Sequence, residues 1–290
     1  MRLPERVLQD LASTTRFTDV RLLDRIDSTN RVAVEAAAAG APEGLVVAAD
    51  HQTQGRGRLG RRWDAPPGMA LLVSVLLRPA GLPPERSQLV TAAVALAAAD
   101  ACGLVAGFTP ELKWPNDLLV GDRKLAGVLA ERAGDAVVAG IGLNVRAAPP
   151  GAAAAEEVAG HPVAREDLLV TLLRGLDRRC GRWDEVAAEY RRRLATVGRR
   201  VRVDGPPGGP LVGTATGVDP DGRLLVAVGS GAAAPVAVFA GDVLHLRPAA
   251  AGAPDPPDAG APDPPAAGGK PDPPDAGEPG KPDPPAGAAA

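Results

Sequence analysis

Three short stretches of this chain carry side chains suited to holding an anion. In residues 51–63 (HQTQGRGRLGRRW), Gly55, Gly57 and Gly60 let the backbone bend and come close to a ligand. Interleaved with them, Arg56, Arg58, Arg61 and Arg62 present guanidinium forks matched to phosphate or carboxylate. No Gly-Lys-Ser/Thr closes the segment, so it is not a Walker loop. The second stretch is Lys113-Trp114-Pro115-Asn116-Asp117, in which Pro115 fixes a turn and Asn116 and Asp117 can bond a ligand or their own backbone. The third is Arg123-Lys124-Leu125-Ala126-Gly127. A tight turn at 120–123 would make the second and third stretches two arms of a hairpin. Lys113, Asp117 and Lys124 would then gather at one end of a sheet beside the Arg/Gly loop. Several cations converging with one carboxylate suit a phosphate-bearing ligand and nucleotidyl chemistry. Taken singly, the loop also reads as a charged surface, and the Trp114 segment as an ordinary strand-to-turn transition.

Composition sharpens this. Of 32 basic residues only four are Lys, and two of those, Lys270 and Lys281, fall in the last 42 residues. Lys113 and Lys124 are thus the only lysines in residues 1–248, and both lie in the stretches above. Residues 249–290 hold 13 Pro and 7 Gly, repeat Pro-Asp-Pro-Pro four times and carry a net charge of −5. They lack the apolar residues needed to offset ordering entropy and read as a disordered tail. The remaining 248 residues are nearly neutral at about +2, without the basic excess of a general nucleic-acid binder. Arg-Gly-Arg resembles a minor-groove hook, but flanking prolines are absent, so no DNA partner is expected. Cys102 and Cys180 cannot build a disulfide framework, and three scattered histidines give no metal signature. The start, MRLPERVLQDL, has no apolar core of a signal peptide, and the charge-free run around 89–99 is too short to span a bilayer. A cytoplasmic protein without a membrane partner is expected; no pattern specifies an oligomeric state.

The elements that would position these residues follow from periodicity. Residues 31–39 read as a helix stopped by Gly40 and Pro42. Short apolar runs at 45–49 and 69–77 read as buried strands, and 87–102 as a buried helix. Strands are expected at 112–114, 118–120, 123–131 and 136–145, the last interrupted by Gly140 and Gly142 where a ligand or backbone can approach. Leu168, Leu169, Leu172, Leu173 and Leu176 define an amphipathic helix, and Val186, Tyr190 and Leu194 a second. The nine arginines between 178 and 202 read as its solvated surface. Five short strands after residue 200 suggest a small barrel.

In order along the chain come Asp27-Ser28-Thr29-Asn30, the loop from Gly55 to Trp63, Lys113 to Asp117, Arg123 to Gly127, and Gly140-Ile141-Gly142-Leu143-Asn144-Val145. This series resembles the biotin–protein ligases over roughly residues 20–248. The resemblance implies an α+β fold: a class II synthetase-like catalytic domain with a central mixed sheet (1–197), an SH3-like β-barrel (198–248) and the disordered tail (249–290). It implies that Ser28, Thr29, Asn30 and Gln52 hold the biotin head group. Arg56, Gly57 and Arg58 would close over biotin and its adenylate, with Trp63 near the nucleotide. Lys124 would meet the biotin carboxylate and the α-phosphate, Lys113 and Asn116 the phosphates or adenine, and Asp117 the incoming acceptor lysine. Gly142 and Asn144 would border the pocket.

The implied activity joins biotin to a lysine of the biotin carboxyl carrier domain of acetyl-CoA or acyl-CoA carboxylase through biotinyl-5'-AMP, using ATP and Mg2+. Lys124, Arg58 and Asp117 would be its catalytic residues: the two cations lower the repulsion between carboxylate and phosphate, and the acid receives the amine proton. Leu59 stands where the family often has Arg, with little effect expected on the chemistry. The roughly 26 residues before Asp27 are too few for a winged-helix repressor domain. A lipoate–protein ligase and a non-catalytic biotin-binding regulator are the competing readings. The Gly-rich loop is expected to be mobile until ligand binds.

Overall fold

The structure is a computed structural model, described here for residues 1–205, 209–229, 234–239 and 241–246. After helix α1 (Glu5–Thr14), strand β1 (Asp19–Ile26) leads through helix α2 (Thr29–Ala38) to β2 (Leu45–Gln52), and β1 and β2 pair in parallel. Next come β3 (Ala70–Leu77), helix α3 (Gln88–Ala106), and the strands β4 (Glu111–Lys113), β5 (Asp117–Val120), β6 (Arg123–Ala133) and β7 (Ala136–Asn144). The seven strands form one mixed sheet in the order β1-β2-β3-β7-β6-β5-β4, antiparallel from β2 onward. All eight residues of β3 are buried, which is why that central strand reads as an apolar run broken only by Ser74.

The sheet is covered on both faces. On one, Ala33 and Ala37 of α2 pack with Leu45, Val47, Leu76, Ala136 and Val138. On the other lies α3, followed by helices α4 (Ala155–Ala159), α5 (Arg165–Asp177) and α6 (Trp183–Arg193), with the leucines of α5 packed into the same core. A helix apolar all round is a buried helix, and α3 is buried along most of its length. It runs past the expected end at 102. With its preceding turn it is long and apolar enough to cross a membrane by length and composition alone. It passes Asp100 because that carboxylate is clamped by Arg179 at 2.6 Å and Arg193 at 2.7 Å. These two arginines are therefore not part of a purely solvated surface: a carboxylate on the core helix needs partners. Helices α1 and α4 and strand β1 were not expected; β1 is an edge strand in which half the residues are charged (DVRLLDRI) and none is fully buried.

Beyond α6, strands β8 (Arg200–Asp204), β9 (Leu211–Val218), β10 (Leu224–Ala227), β11 (Val236–Val238) and β12 (Asp242–His245) form an antiparallel sheet in the order β11-β10-β9-β8-β12. All five expected short strands are present. This sheet grips the Trp114 segment. The buried indole Nε1 of Trp114 donates to Gly222 O at 2.9 Å, and Trp114 N donates to Thr196 Oγ1 at 3.0 Å. The same hydroxyl lies 3.1 Å from Nε2 of His245. The proline-rich tail and its expected disorder fall outside the described residues.

Burial, reinforced by Lys113 and Arg199, pushes His245 down to about 4 from an ordinary 6.5. The unfolded chain therefore takes up a proton that the folded chain refuses, and stability present above pH 6.5 is lost as pH falls toward 4. His245→Gln keeps a polar group for Thr196 and removes the titration. Its denaturant midpoint is expected to change less between pH 7 and pH 5 than that of the wild type. An equal change in both proteins would rule out His245 as the source.

Candidate active site

Ser28 caps the N-terminus of α2, its hydroxyl accepting from Arg31 N at 3.5 Å, and this turn aims Thr29 and Asn30 at the sheet. Gln52, at the end of β2, accepts through one oxygen from Thr29 N at 2.7 Å and lies 2.9 Å from Thr29 Oγ1. Ser74 of β3, fully buried, lies 2.8 Å from Thr29 Oγ1 and 2.6 Å from Asn30 Oδ1. The Asn30 amide is oriented by its other end, where Nδ2 donates to Leu129 O at 3.2 Å and Glu131 Oε2 at 2.8 Å. Three oxygen–oxygen contacts thus run from Gln52 to Asn30 with only two hydroxyl protons to fill them. The polar end of the cleft has a surplus of acceptors and is suited to a ligand that brings N–H donors.

The Arg/Gly loop folds back as a small flap. Arg56 bridges to Arg62, Gly57 N donates to Arg61 O at 2.7 Å, and Trp63 N donates to Gly55 O at 3.0 Å. At its tip the exposed Leu59 takes up a left-handed conformation with φ 55°. The flap's arginines each find a different anchor. Arg56 pairs with Glu131 at 3.2 Å. Arg58 Nη1 donates to Asn116 Oδ1 at 3.2 Å and Gly241 O at 3.4 Å, and Arg61 pairs with Asp242 of the small sheet. Burial holds the Arg58 guanidinium below its ordinary range and Arg61 adds to this, while Asp117 and Tyr190 oppose it.

At the other wall the expected hairpin is present: β5 pairs with β6, Asp117 opposite Gly127. Lys124 Nζ stands 2.7 Å from Asp117 Oδ1, an ion pair without hydrogen-bond alignment. It is also 5.7 Å from the centre of the Trp63 ring, within cation–π reach. That ring lies flat on the sheet because β7 has no side chain beneath it: a Cβ at Gly142 would overlap the indole, and one at Gly140 would overlap Oδ1 of Asn30. The indole Nε1 of Trp63 is buried without a partner.

These residues line one cleft, in which polar side chains converge over the sheet. Ser28, Thr29, Asn30, Gln52, Arg56, Gly57, Arg58, Trp63, Asn116, Asp117, Lys124 and Gly142 all face it. Two expected residues do not. Asn144 is buried, donating to Ala153 O at 3.1 Å and Lys124 O at 3.5 Å, so it braces the strand that carries Lys124. Lys113 sits opposite Asp117 in the β4–β5 register, next to the cleft but not among the residues that line it. Burial holds its ammonium below the usual lysine range, Asp117 opposes this, and Lys124 and Arg61 add to it. Sequence reasoning missed Ser74, Glu131 and Asp242. Ser74 was the one polar residue in an apolar run, a usable signal; Asp242 comes from a distant strand and had none. Neither thiol belongs to the site: burial pushes both Cys102 and Cys180 up to about 12.

Cationic side chains on one wall, an acceptor-rich end and a single carboxylate beside an ammonium describe a site that can join two anions at a phosphorus. The mixed sheet that carries it is that of the biotin and lipoate ligases. The Biotin/lipoate A/B protein ligase family model matches residues 22–146, and the Biotin protein ligase C terminal domain model matches 196–246. The chain is 38% identical over 259 residues to the biotin–[acetyl-CoA-carboxylase] ligase of Mycobacterium tuberculosis, spanning 84% of this chain and 96% of that relative. It is 29% identical over 226 residues to the bifunctional ligase/repressor BirA of Bacillus subtilis, spanning 72% of this chain and 69% of the relative. The Aquifex aeolicus biotin protein ligase solved in complex with biotin and ATP superposes with a TM-score of 0.68 at 25% identity, covering 80% of this chain and all of that one. The chain belongs to the biotin protein ligase family.

The floor of the cleft gives a direct test. Gly142→Ala forces the Trp63 indole off β7 and is expected to lower stability by about 1–3 kcal/mol through overpacking. Trp63 fluorescence, taken as the emission lost on Trp63→Phe with and without Gly142→Ala so that Trp114 and Trp183 cancel, should shift toward that of an exposed indole. An unaltered spectrum would show that the ring does not rest there.

Proposed function

We propose that this protein attaches biotin to a lysine of a biotin carboxyl carrier domain, with ATP as the activating substrate and biotinyl-5'-AMP as the intermediate. The observation that carries this is one cleft holding both an acceptor-rich head site (Thr29, Asn30, Gln52) and a cationic wall (Arg56, Arg58, Lys124) around Asp117. A ureido ring brings N–H donors that match the surplus acceptors. A dithiolane ring brings none, and burying unmatched polar groups costs binding. That chemistry favours biotin over lipoate, in keeping with the biotin ligase named among its relatives.

In the first step the biotin carboxylate oxygen attacks the α-phosphorus of ATP, and the bond to the bridging oxygen breaks to release pyrophosphate. Lys124 and Arg58 face the position where negative charge accumulates and lower the repulsion between carboxylate and phosphate. In the second step the neutral amine of the acceptor lysine attacks the acyl carbonyl, AMP leaves, and Asp117 takes or directs the amine proton. Before ligand arrives, Asp117 is held by Lys124; once the anionic adenylate occupies Lys124, the carboxylate is released to meet the amine. The described residues contain no cluster of three acidic, imidazole or thiol donors. Mg2+ would accompany ATP and neutralise charge on its phosphates. Retention of Lys124 and Arg58, which a pocket used only for sensing does not require, argues against a non-catalytic regulator. We assign residues 1–197 to the catalytic domain, 198–248 to the C-terminal domain and place the reaction in the cytoplasm.

The assay supplies biotin, ATP, Mg2+ and a carboxylase carrier domain and probes the carrier for biotin. Wild type should label it, Lys124→Ala should be slower by about 10²-fold or more, and lipoate should not substitute. No labelling by wild type, or undiminished labelling by K124A, would overturn the assignment. Removing residues 249–290 should leave the rate unchanged; a large loss would give the tail a catalytic role.

A further inference from the structure

Glu131 belongs to none of the sequence motifs, yet its carboxylate joins the two halves of the cleft. It lies on β6, on the same face as the cleft-lining Gly127 and Leu129, opposite Val138 of β7. One oxygen accepts from Asn30 Nδ2 at 2.8 Å at the head of the cleft. The other accepts from Arg56 Nη1 at 3.2 Å in the flap. The side chain is about one-quarter exposed, whereas Asn30 is almost fully buried.

We propose that Glu131 is a positioning residue that sets the hydrogen-bond polarity of the head site and anchors the flap with the same carboxylate. Turning the Asn30 amide over would point Oδ1 at both this carboxylate and Leu129 O, so Glu131 locks Oδ1 toward Ser74. The Ser74 proton is then committed to Asn30, and the single Thr29 proton cannot fill both remaining contacts, so the proton deficit is confined to Thr29, which lines the open cleft. The polarity that selects a donor-bearing ring is thus imposed from behind by a residue that need not touch it. The second oxygen gives Arg56 a charged partner, so the flap is held over the same head site by a charge-assisted bond. Both roles rest on the biotin reading above only for the identity of the ring; the flap anchor is independent of any ligand.

The two roles separate on substitution. Glu131→Gln keeps an oxygen for Asn30 but removes the charge facing Arg56; Glu131→Ala removes both. In the ligand-free protein, trypsin cleavage at the flap arginines 58, 61 and 62 should speed up about threefold or more in both variants and in Arg56→Ala, with cleavage elsewhere and melting temperature as controls for folding. The double variant E131Q/R56A should cleave no faster than either single one, because they remove one interaction. Biotin titrated calorimetrically should bind E131A about tenfold or more weakly, and E131Q within about threefold of wild type because the amide orientation is kept. Unchanged flap cleavage in E131Q, multiplying effects in the double variant, or equal weakening of biotin in E131Q and E131A would each overturn the proposal. A wild type that binds no biotin while E131Q and R56A still release the flap would instead sink the ligase reading and leave the anchor standing.

Discussion

Two positions on β7 that carry no side chain set the height of everything built above them. Gly140 lets the Asn30 amide reach across the strand to Ser74, and Gly142 lets the Trp63 indole lie flat on the sheet. With Asn30 placed, Thr29 and Gln52 follow through short oxygen contacts; with Trp63 placed, Lys124 is held over the ring and beside Asp117. Any larger residue at either position would lift the head site or the flap off the sheet. Close packing tolerates little such displacement, since interiors have few voids into which it can be absorbed.

Three cationic groups of the cleft are held by acids before any substrate arrives. Lys124 faces Asp117, Arg56 faces Glu131 and Arg61 faces Asp242. Arg58 is the exception: it bonds only neutral oxygens of Asn116 and Gly241, and burial strains its charge. An incoming phosphate therefore meets one guanidinium already desolvated and without an acid hydrogen-bonded to it. Others must change partners. The three acids come from different elements, β5, β6 and β12, so the charge pairing of the empty site is a property of the tertiary fold rather than of any one motif.

Much of this was legible beforehand, for identifiable reasons. The central strands and α5 announce themselves through apolar period, and the hairpin at 120–123 through its turn residues. Most residues of the head site and flap were legible because Gly, Arg and Lys stand at spacings that bulk packing does not require. What escaped was set by long-range contacts. Glu131 and Asp242 are ordinary acids until folding brings Arg56 and Arg61 to them from 75 and 181 residues away in sequence. Asn144 and Lys113 belong to the motifs but do not line the cleft: Asn144 is drawn to Ala153 O and Lys124 O, and Lys113 lies beside Asp117 on the neighbouring strand β4. Strand β1 escaped because half its residues are charged and the adjacent Leu22 and Leu23 break the alternation that would mark a strand.

The clamp on Asp100 has a bearing on how the chain is made. Helix α3 is complete once residue 106 has left the ribosome, and at that moment it is an apolar rod with a single uncompensated acid. Arg179 and Arg193 lie 79 and 93 residues beyond Asp100, and the helices α5 and α6 that pack on α3 begin only at Arg165 and Trp183. For the whole of that interval of synthesis the helix is a hydrophobic surface awaiting its cover, the kind of nascent segment that chaperones shield. The arginines that close over Asp100 are thus among the last parts of the catalytic half to be translated, and the core is sealed from its C-terminal end.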